Sequence, residues 1–278
     1  MAWARDSRFH GALRRAAVMA EPLYVTSRSN PLLVQLRRLV QDGGAYRRSG
    51  QAWLEGEHLC TACRQHGSAA AQAVVNSDAW QLQDLRELAT WAAQVVVVPP
   101  LLFEGLSSLG SPGRIGFVVD IPAPMAIAPA LASIVLDRVQ DPGNVGSILR
   151  SAAAFGTTQV LALRGTVALW SPKVLRAAMG AHFGLRLVEG LDETDLADLR
   201  VPMVATLPHA GISLAHADLP APCAWVLGHE GQGVAASLLA RCALQVCIAQ
   251  PGGGESLNVA AAAAVCLYEA SRQLQRIQ

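Results

Sequence analysis

The stretch from Ile248 to Ala270, IAQPGGGESLNVAAAAAVCLYEA, constrains this chain more than any other. Glycine loses more backbone freedom on ordering than any other residue, so Gly252, Gly253 and Gly254 in a row are costly in a regular element. They belong where the backbone turns tightly or lies close to a ligand. Ser256 then stands where a helix takes its N-cap, and the small residues Val259–Ala264 suit a helix lying flat on a sheet or another backbone. An ordinary glycine loop capped by a serine has the same local pattern, so the meaning of the stretch depends on what precedes it.

Short apolar runs alternate with helical periodicity along the rest of the chain. Asn30-Pro31 is an N-cap followed by proline at the first helical position, and Leu32, Leu33, Leu36, Leu39 and Val40 form one apolar face behind it. Ala52–Leu54, Val74-Val75 and Val95–Val98 read as strands, with a helical segment at Trp80–Trp91 between the last two. This predicts a small three-layer α/β domain over about 22–105. Residues 106–130 contain prolines and glycines around a single strand, Ile115–Val119, and read as the linker region. Alternation restarts at Ser133–Leu136 and continues through Val160–Leu163, Val201–Thr206, Ala224–Leu227 and Val246–Ile248. Helices are expected after Asp141-Pro142 and after Ser171-Pro172, the latter with Ser171 as its cap. The second domain therefore spans 131–278.

Composition excludes some classes. With 52% hydrophobic and 15% charged residues the chain is globular rather than disordered, and no apolar run approaches the length of a membrane span. Net charge is only +1, yet residues 1–66 carry ten arginines against five acids, leaving the remainder at −4. A basic front on an acidic body points to a polyanionic partner. The tail 1–21 is Arg-rich; it reads as a loosely ordered arm, a transit-like segment or an over-long start. Six scattered cysteines fit reduced thiols in the cytoplasm. Cys60-x-x-Cys63 with His58 and His66 resembles half a zinc site. All four candidates fall within nine residues, whereas a structural zinc draws on two separated pairs, so no metal is expected.

Three strand-to-loop turns carry polar residues without an evident core role: Asn144 with Arg150, then Glu230, then Ser256 with Asn258. Gly-rich turns at strand C-termini are where open α/β sheets bind ligands. GHEGQG does not match the dinucleotide fingerprint, and no G-x-S-x-G elbow is present, which argues against hydride transfer and a serine nucleophile. The motifs D-P-x-N-x-G-x-x-x-R at Asp141–Arg150, L-G-x-E-G-x-G at Leu227–Gly233 and S-L-N-V at Ser256–Val259 resemble the three motifs of the SpoU/TrmH-like RNA methyltransferases of the SPOUT superfamily. The front half also resembles the substrate-binding domain common there, through S-x-x-N-P near 27–31 and R-R-x-G-x-x-x-x-E-G near 47–56. Ala260 departs from the serine that often follows the third motif's Asn-Val.

The resemblance implies a C-terminal α/β domain with a mostly parallel sheet and a deep trefoil knot, preceded by a small α/β/α substrate-binding domain. It implies S-adenosylmethionine as methyl donor, with Gly228, Ile248 and Leu257 at the cofactor, and a homodimer. The expected reaction is ribose 2′-O-methylation of ribosomal RNA. The alternatives are base methylation of transfer RNA and a catalytically silent RNA-binding factor on the same scaffold. Arg150 is then the group that acts on the hydroxyl. As a guanidinium it is a poor base and a good phosphate clamp, and both roles stay open. Asn144, Glu230, Ser256 and Asn258 would orient the ribose, Arg150 and the loops. Arg37, Arg38, Arg47 and Arg48 are the candidate phosphate contacts.

Overall fold

The computed structural model describes residues 21–253 and 256–277. The expectation of a loose basic arm therefore falls outside the described residues. The first half runs β1 (Leu23–Tyr24), α1 (Pro31–Gln41), α2 (Tyr46–Ser49), β2 (Gln51–Glu55), α3 (Glu57–Gln65), β3 (Ala70–Asn76), α4 (Gln83–Ala89), β4 (Ala92–Val98), α5 (Pro100–Glu104) and β5 (Ile115–Asp120). Asn30 starts α1 as its sequence dictates, its Oδ1 accepting the Leu32 N–H at 3.0 Å. The sheet order is β1-β4-β3-β5-β2, with β5 antiparallel to both its neighbours. Strand β5, placed in the linker by its proline-rich surroundings, is thus an interior strand of the first sheet.

The second half runs β6 (Ser133–Leu136), α6 (Pro142–Ala154), β7 (Gln159–Leu163), α7 (Pro172–Ala178), β8 (Arg186–Leu191), β9 (Met203–Leu207), β10 (Ile212–Ser213), β11 (Ala224–Leu227), α8 (Ala236–Leu239), β12 (Leu244–Cys247) and α9 (Val259–Ile277). Its seven strands form one sheet in the order β10-β12-β9-β11-β6-β7-β8, every pair parallel. Both faces are covered, as parallel sheets require. Ile134, Leu136, Trp225 and Leu227 pack toward the core shared with the first half, while Val135, Ala224 and Val226 pack into a second cluster behind the sheet. The buried Gln159 amide ties the connecting segment down, donating to the Ala128 carbonyl (3.1 Å) and accepting the Ala128 N–H (2.8 Å).

Helix α7 joins the halves. Gly43 lies against Ser171 at its start, and a side chain on Gly180 just past its end would run into Ala62 of α3. Beside it, Glu189 of β8 accepts the Tyr46 hydroxyl at 2.7 Å and the Leu169 N–H at 2.8 Å. Burial and the Glu189 carboxylate both push the Tyr46 phenol well above its ordinary value, so it donates at any physiological pH. Ser171 does not cap α7 as its position suggests: its Oγ is buried with no partner among the described residues. Behind it His182 is fully buried, its Nε2 donating to the Leu169 carbonyl at 2.8 Å and its ring 4.9 Å from that of Trp170.

Burial holds His182 neutral, with its pKa pushed down from 6.5 to about 4. Between those values the unfolded chain takes up a proton that the folded chain refuses. Its contribution to stability is therefore complete above about pH 6.5 and declines as pH falls toward 4, by up to roughly 3 kcal/mol. Urea unfolding at pH 7.5 and pH 5 should show a smaller acid loss for His182→Gln than for the unchanged protein.

Candidate functional site

The site grows from the C-terminal edge of the second sheet. Strand β6 ends in Asp137, which is 2% exposed and needs partners for both oxygens. Its Oδ1 accepts from Arg138 Nε at 2.8 Å and its Oδ2 accepts the Ala235 N–H at 2.7 Å. Arg138 adopts a left-handed backbone conformation (φ 58°) and also donates to Gln232 Oε1 at 3.0 Å. Together these contacts fix the loop after β11 to the loop after β6. Asp141 then caps α6, accepting the Asn144 N–H at 2.8 Å, and Pro142 takes the first helical position. Neither Asp137 nor Asp141 stood out as a functional residue in the sequence. The capping signal Asp-Pro and the first position of the motif Asp141–Arg150 are what point to Asp141.

This helix start presents Asn144 between the other two motifs. Glu230 Oε1 accepts from Asn144 Nδ2 at 3.0 Å and from the Asp141 N–H at 3.1 Å, and its Oε2 accepts the Gln140 N–H at 3.2 Å. Asn144 Oδ1 in turn accepts from Asn258 Nδ2 at 2.8 Å. Asn258 Oδ1 accepts the N–H groups of Ala260 and Ala261 at 2.9 and 3.2 Å. The amide orientations follow from this network, in which each donor meets an acceptor. Asn258 is thus the N-cap of α9, and Ser256, expected in that role, lies two residues outside the helix with its side chain exposed. Burial opposes the charge on Glu230. The hydrogen bonds from Asn144 and from backbone N–H groups outweigh it and hold the carboxyl below the usual carboxylate range.

Gly228 and Ile248 sit where strands β11 and β12 run into their loops. Both strands flank β9, and their registers put Gly228 level with Cys247, one residue before Ile248. Two strand spacings separate them by about 10 Å. A side chain at Gly228 would collide with the backbone of Gly233 and Val234, because the loop closes on itself through hydrogen bonds between His229 and Gly233. Leu257 is 40% exposed beside Asn258.

Arg150 is not brought to this network. It lies six residues beyond Asn144 on α6, about 9 Å along the axis and about 120° around it. There it is exposed and lines a cleft of about 520 Å³ between α6, the end of α7 and α3 of the first half. Of the candidate phosphate contacts, Arg38 is exposed, Arg37 donates to the Arg28 carbonyl, Arg47 reaches Glu189 at 3.3 Å and Arg48 pairs with Asp42 at 2.6 Å. Exposed pairs of this kind contribute little to stability. On α3, Cys60 and Cys63 turn into the core, and burial pushes the Cys63 thiol up to about 12. His58 and His66 lie on the opposite, exposed side, so the four do not converge.

Comparison with known proteins places the chain firmly. Residues 132–268 match the model of the SpoU rRNA methylase family. An uncharacterized tRNA/rRNA methyltransferase of Synechocystis is 35% identical over 261 residues, covering 90% of this chain and 93% of that one. The 23S rRNA (guanosine(2553)-2′-O)-methyltransferase RlmP of Bacillus subtilis is 29% identical over 77% of this chain and 86% of its own length. Among solved structures, the SpoU methyltransferase AviRb from Streptomyces viridochromogenes in complex with AdoMet superposes with a TM-score of 0.81. It is 25% identical and covers 90% of this chain and 99% of that one.

Replacing the central amide tests the network. Asn144→Asp sets a second carboxylate against Glu230, and two like charges this close cannot both ionise freely. The variant should be less stable than the unchanged protein by about 1 kcal/mol or more at pH 8. The deficit should shrink at pH 5, where one carboxyl protonates and donates in place of the amide; thermal unfolding at both pH values reads it.

Proposed function

The chain belongs to the SpoU rRNA methylase family, and we propose that it transfers a methyl group from S-adenosylmethionine to the 2′-hydroxyl of a ribose in ribosomal RNA. The observation that carries this reading is the hydrogen-bonded run Glu230–Asn144–Asn258, which links all three motifs at the C-terminal edge of the parallel sheet. When bound, S-adenosylmethionine supplies a methyl group on a positively charged sulfonium. Gly228, Ile248 and Leu257 hold its adenosine through backbone groups and apolar contact. The threading of these loops as a deep trefoil knot belongs to the same reading.

The chain's own groups then align the nucleophile. Methyl transfer needs the hydroxyl in line and help in losing its proton. Glu230, kept ionised, and Asn144 fix the loops and leave Asn258 and Ser256 at the mouth to orient the ribose. Arg150 remains a cation, so it clamps the phosphate beside the ribose bidentately and stabilises charge developing on the oxygen. The first half, residues 22–120, grips RNA with Arg37, Arg38, Arg47 and Arg48, and its binding weakens as salt rises.

We further propose a homodimer. Arg150 faces away from the Asn144 network of its own chain, so a second copy must bring an arginine to each cofactor. The exposed face of α9 supports this: Val265 and Tyr268 are 42% and 56% exposed, and Tyr268 meets Phe155 at the end of α6 edge-on at 6.0 Å. Exposed apolar residues one turn apart on adjoining helices suit self-association. Its six free cysteines fit the cytoplasm.

Two measurements check this. Arg150→Ala should lower formation of 2′-O-methylnucleosides about a hundred- to a thousandfold, a loss typical of removing a charge-stabilising group. Calorimetry should find S-adenosylmethionine binding unchanged in that variant. Appearance of a methylated base, or retained activity, would overturn the assignment. Val265→Glu should shift the protein from dimer to monomer in light scattering and abolish methylation along with dimerisation.

A further inference from the structure

The cleft beside Arg150 has a second wall that the methyltransferase half does not supply. On α3, His58, Thr61, Ala62, Gln65 and His66 recur at helical spacing and form one stripe along the cleft. The other face of the same helix, Leu59, Cys60 and Cys63, is buried in the first domain's core. Half of the CxxC-and-histidine pattern is therefore core packing. The other half is a polar surface turned toward Arg150 and Ala153 of α6.

Three features show a built wall rather than a gap between domains. The two sides are locked together, since Gly180 sits so close to Ala62 that a side chain there would not fit. The His66 ring is held in place: Nδ1 lies 3.0 Å from the Ala62 carbonyl and must donate to it, and the Phe183 ring lies 6.1 Å away. Neutral His66 therefore keeps Nε2 as a fixed acceptor on the side of Gly184. Finally, Met179 adopts a left-handed backbone conformation (φ 52°) at the cleft with 42% of its surface exposed. A non-glycine residue is strained there, and the conformation turns the chain from α7 into the cleft wall.

We propose that this cleft receives the base of the nucleotide being methylated, so that α3 selects the target in the same chain whose Arg150 holds its phosphate. The inference rests on the rRNA 2′-O-methyltransferase reading above. At about 520 Å³ the cleft falls within the roughly 300–1,000 Å³ of small-ligand sites. Sequence-specific RNA recognition works on unstacked bases, through hydrogen bonds to their edges and contact with their faces. Gln65 brings a donor and an acceptor, with no partner for its side chain among the described residues, and His66 brings its fixed acceptor. Met179 offers a polarisable thioether to the ring face. Thr61 is half-buried on the cleft wall.

The test uses the full chain and unmodified ribosomal RNA transcribed in vitro, with Gln65→Ala and Gln65→Glu compared with the unchanged protein. Gln65 is exposed near the end of α3, so both variants should melt as the unchanged protein does and bind S-adenosylmethionine equally. The expected result is a KM for RNA raised about tenfold in Gln65→Ala and more in Gln65→Glu, with kcat changed less than about threefold. Mass spectrometry should show the variants spreading methylation over nucleosides that the unchanged protein leaves alone. If the unchanged protein methylates one site and both variants match it in KM and product, the cleft does not read the base and the proposal is wrong. If the unchanged protein methylates no RNA, the methyltransferase reading falls first and takes the cleft with it.

Discussion

Three loops that leave a parallel sheet at one edge stay together only if something holds them, and here two amides and a carboxylate do so. Glu230 and Asn258 also bind backbone N–H groups, and the Asn144 amide joins them side chain to side chain. Glu230 closes the turn before α6, and Asn258 starts α9. The functional network and the local folding of its loops are therefore one structure, and the residues cannot be exchanged singly. Asn144 is the demanding position, since its side chain must donate to the carboxylate and accept from Asn258 at once, which an ionised aspartate cannot do. Beneath it, Asp137 and Arg138 do the same for the loop after β11, so the site rests on buried charge satisfied by backbone N–H groups.

The first half is attached through the shared apolar core and through polar contacts at its edge. Glu189 gathers Tyr46, Arg47 and the Leu169 N–H from three directions, and α7 runs from Gly43 at its start to Ala62 past its end. Removing Glu189 would strand the Tyr46 hydroxyl and the Leu169 N–H, which keeps the two halves in one arrangement. A domain that only increased local RNA concentration could hang on a flexible tether. A fixed wall against Arg150 fits positioning instead.

Much of the fold was legible in the sequence because a two-sided parallel sheet writes itself as short, continuous apolar runs. Ser133–Leu136 and Ala224–Leu227 were placed to the residue. Strand β8 was not, because it is an edge strand whose sequence, RLVEGL, has only two buried apolar residues. Strand β5 was recognised but assigned to the linker, since its antiparallel partners lie far off in sequence. The three motifs name Asn144, Glu230 and Asn258, and hydrogen bonds join these side chains in the structure. The serine at 256 misled, because capping by Asn258 needs the helix to begin two residues later than the serine suggests. Nothing local could show that Arg150, inside the same motif as Asn144, points elsewhere; that follows only from six residues of helical rotation.

That rotation is the part of the structure with the widest consequence. A catalytic arginine on the Asn144 face of α6 would serve its own chain, and a monomer would suffice. Turned about 120° away, it faces α3 of its own first half and is missing from the Asn144 network of its own chain. In a two-fold assembly the vacancy is filled reciprocally, because any surface that one copy presents to the other is presented back. Each chain then contributes recognition and charge to one reaction and the methyl donor's pocket to the other. Under that division, loss of the α9 contact should remove activity without disturbing either the fold of a chain or its hold on RNA. This separates a dimer needed for chemistry from one that only adds stability.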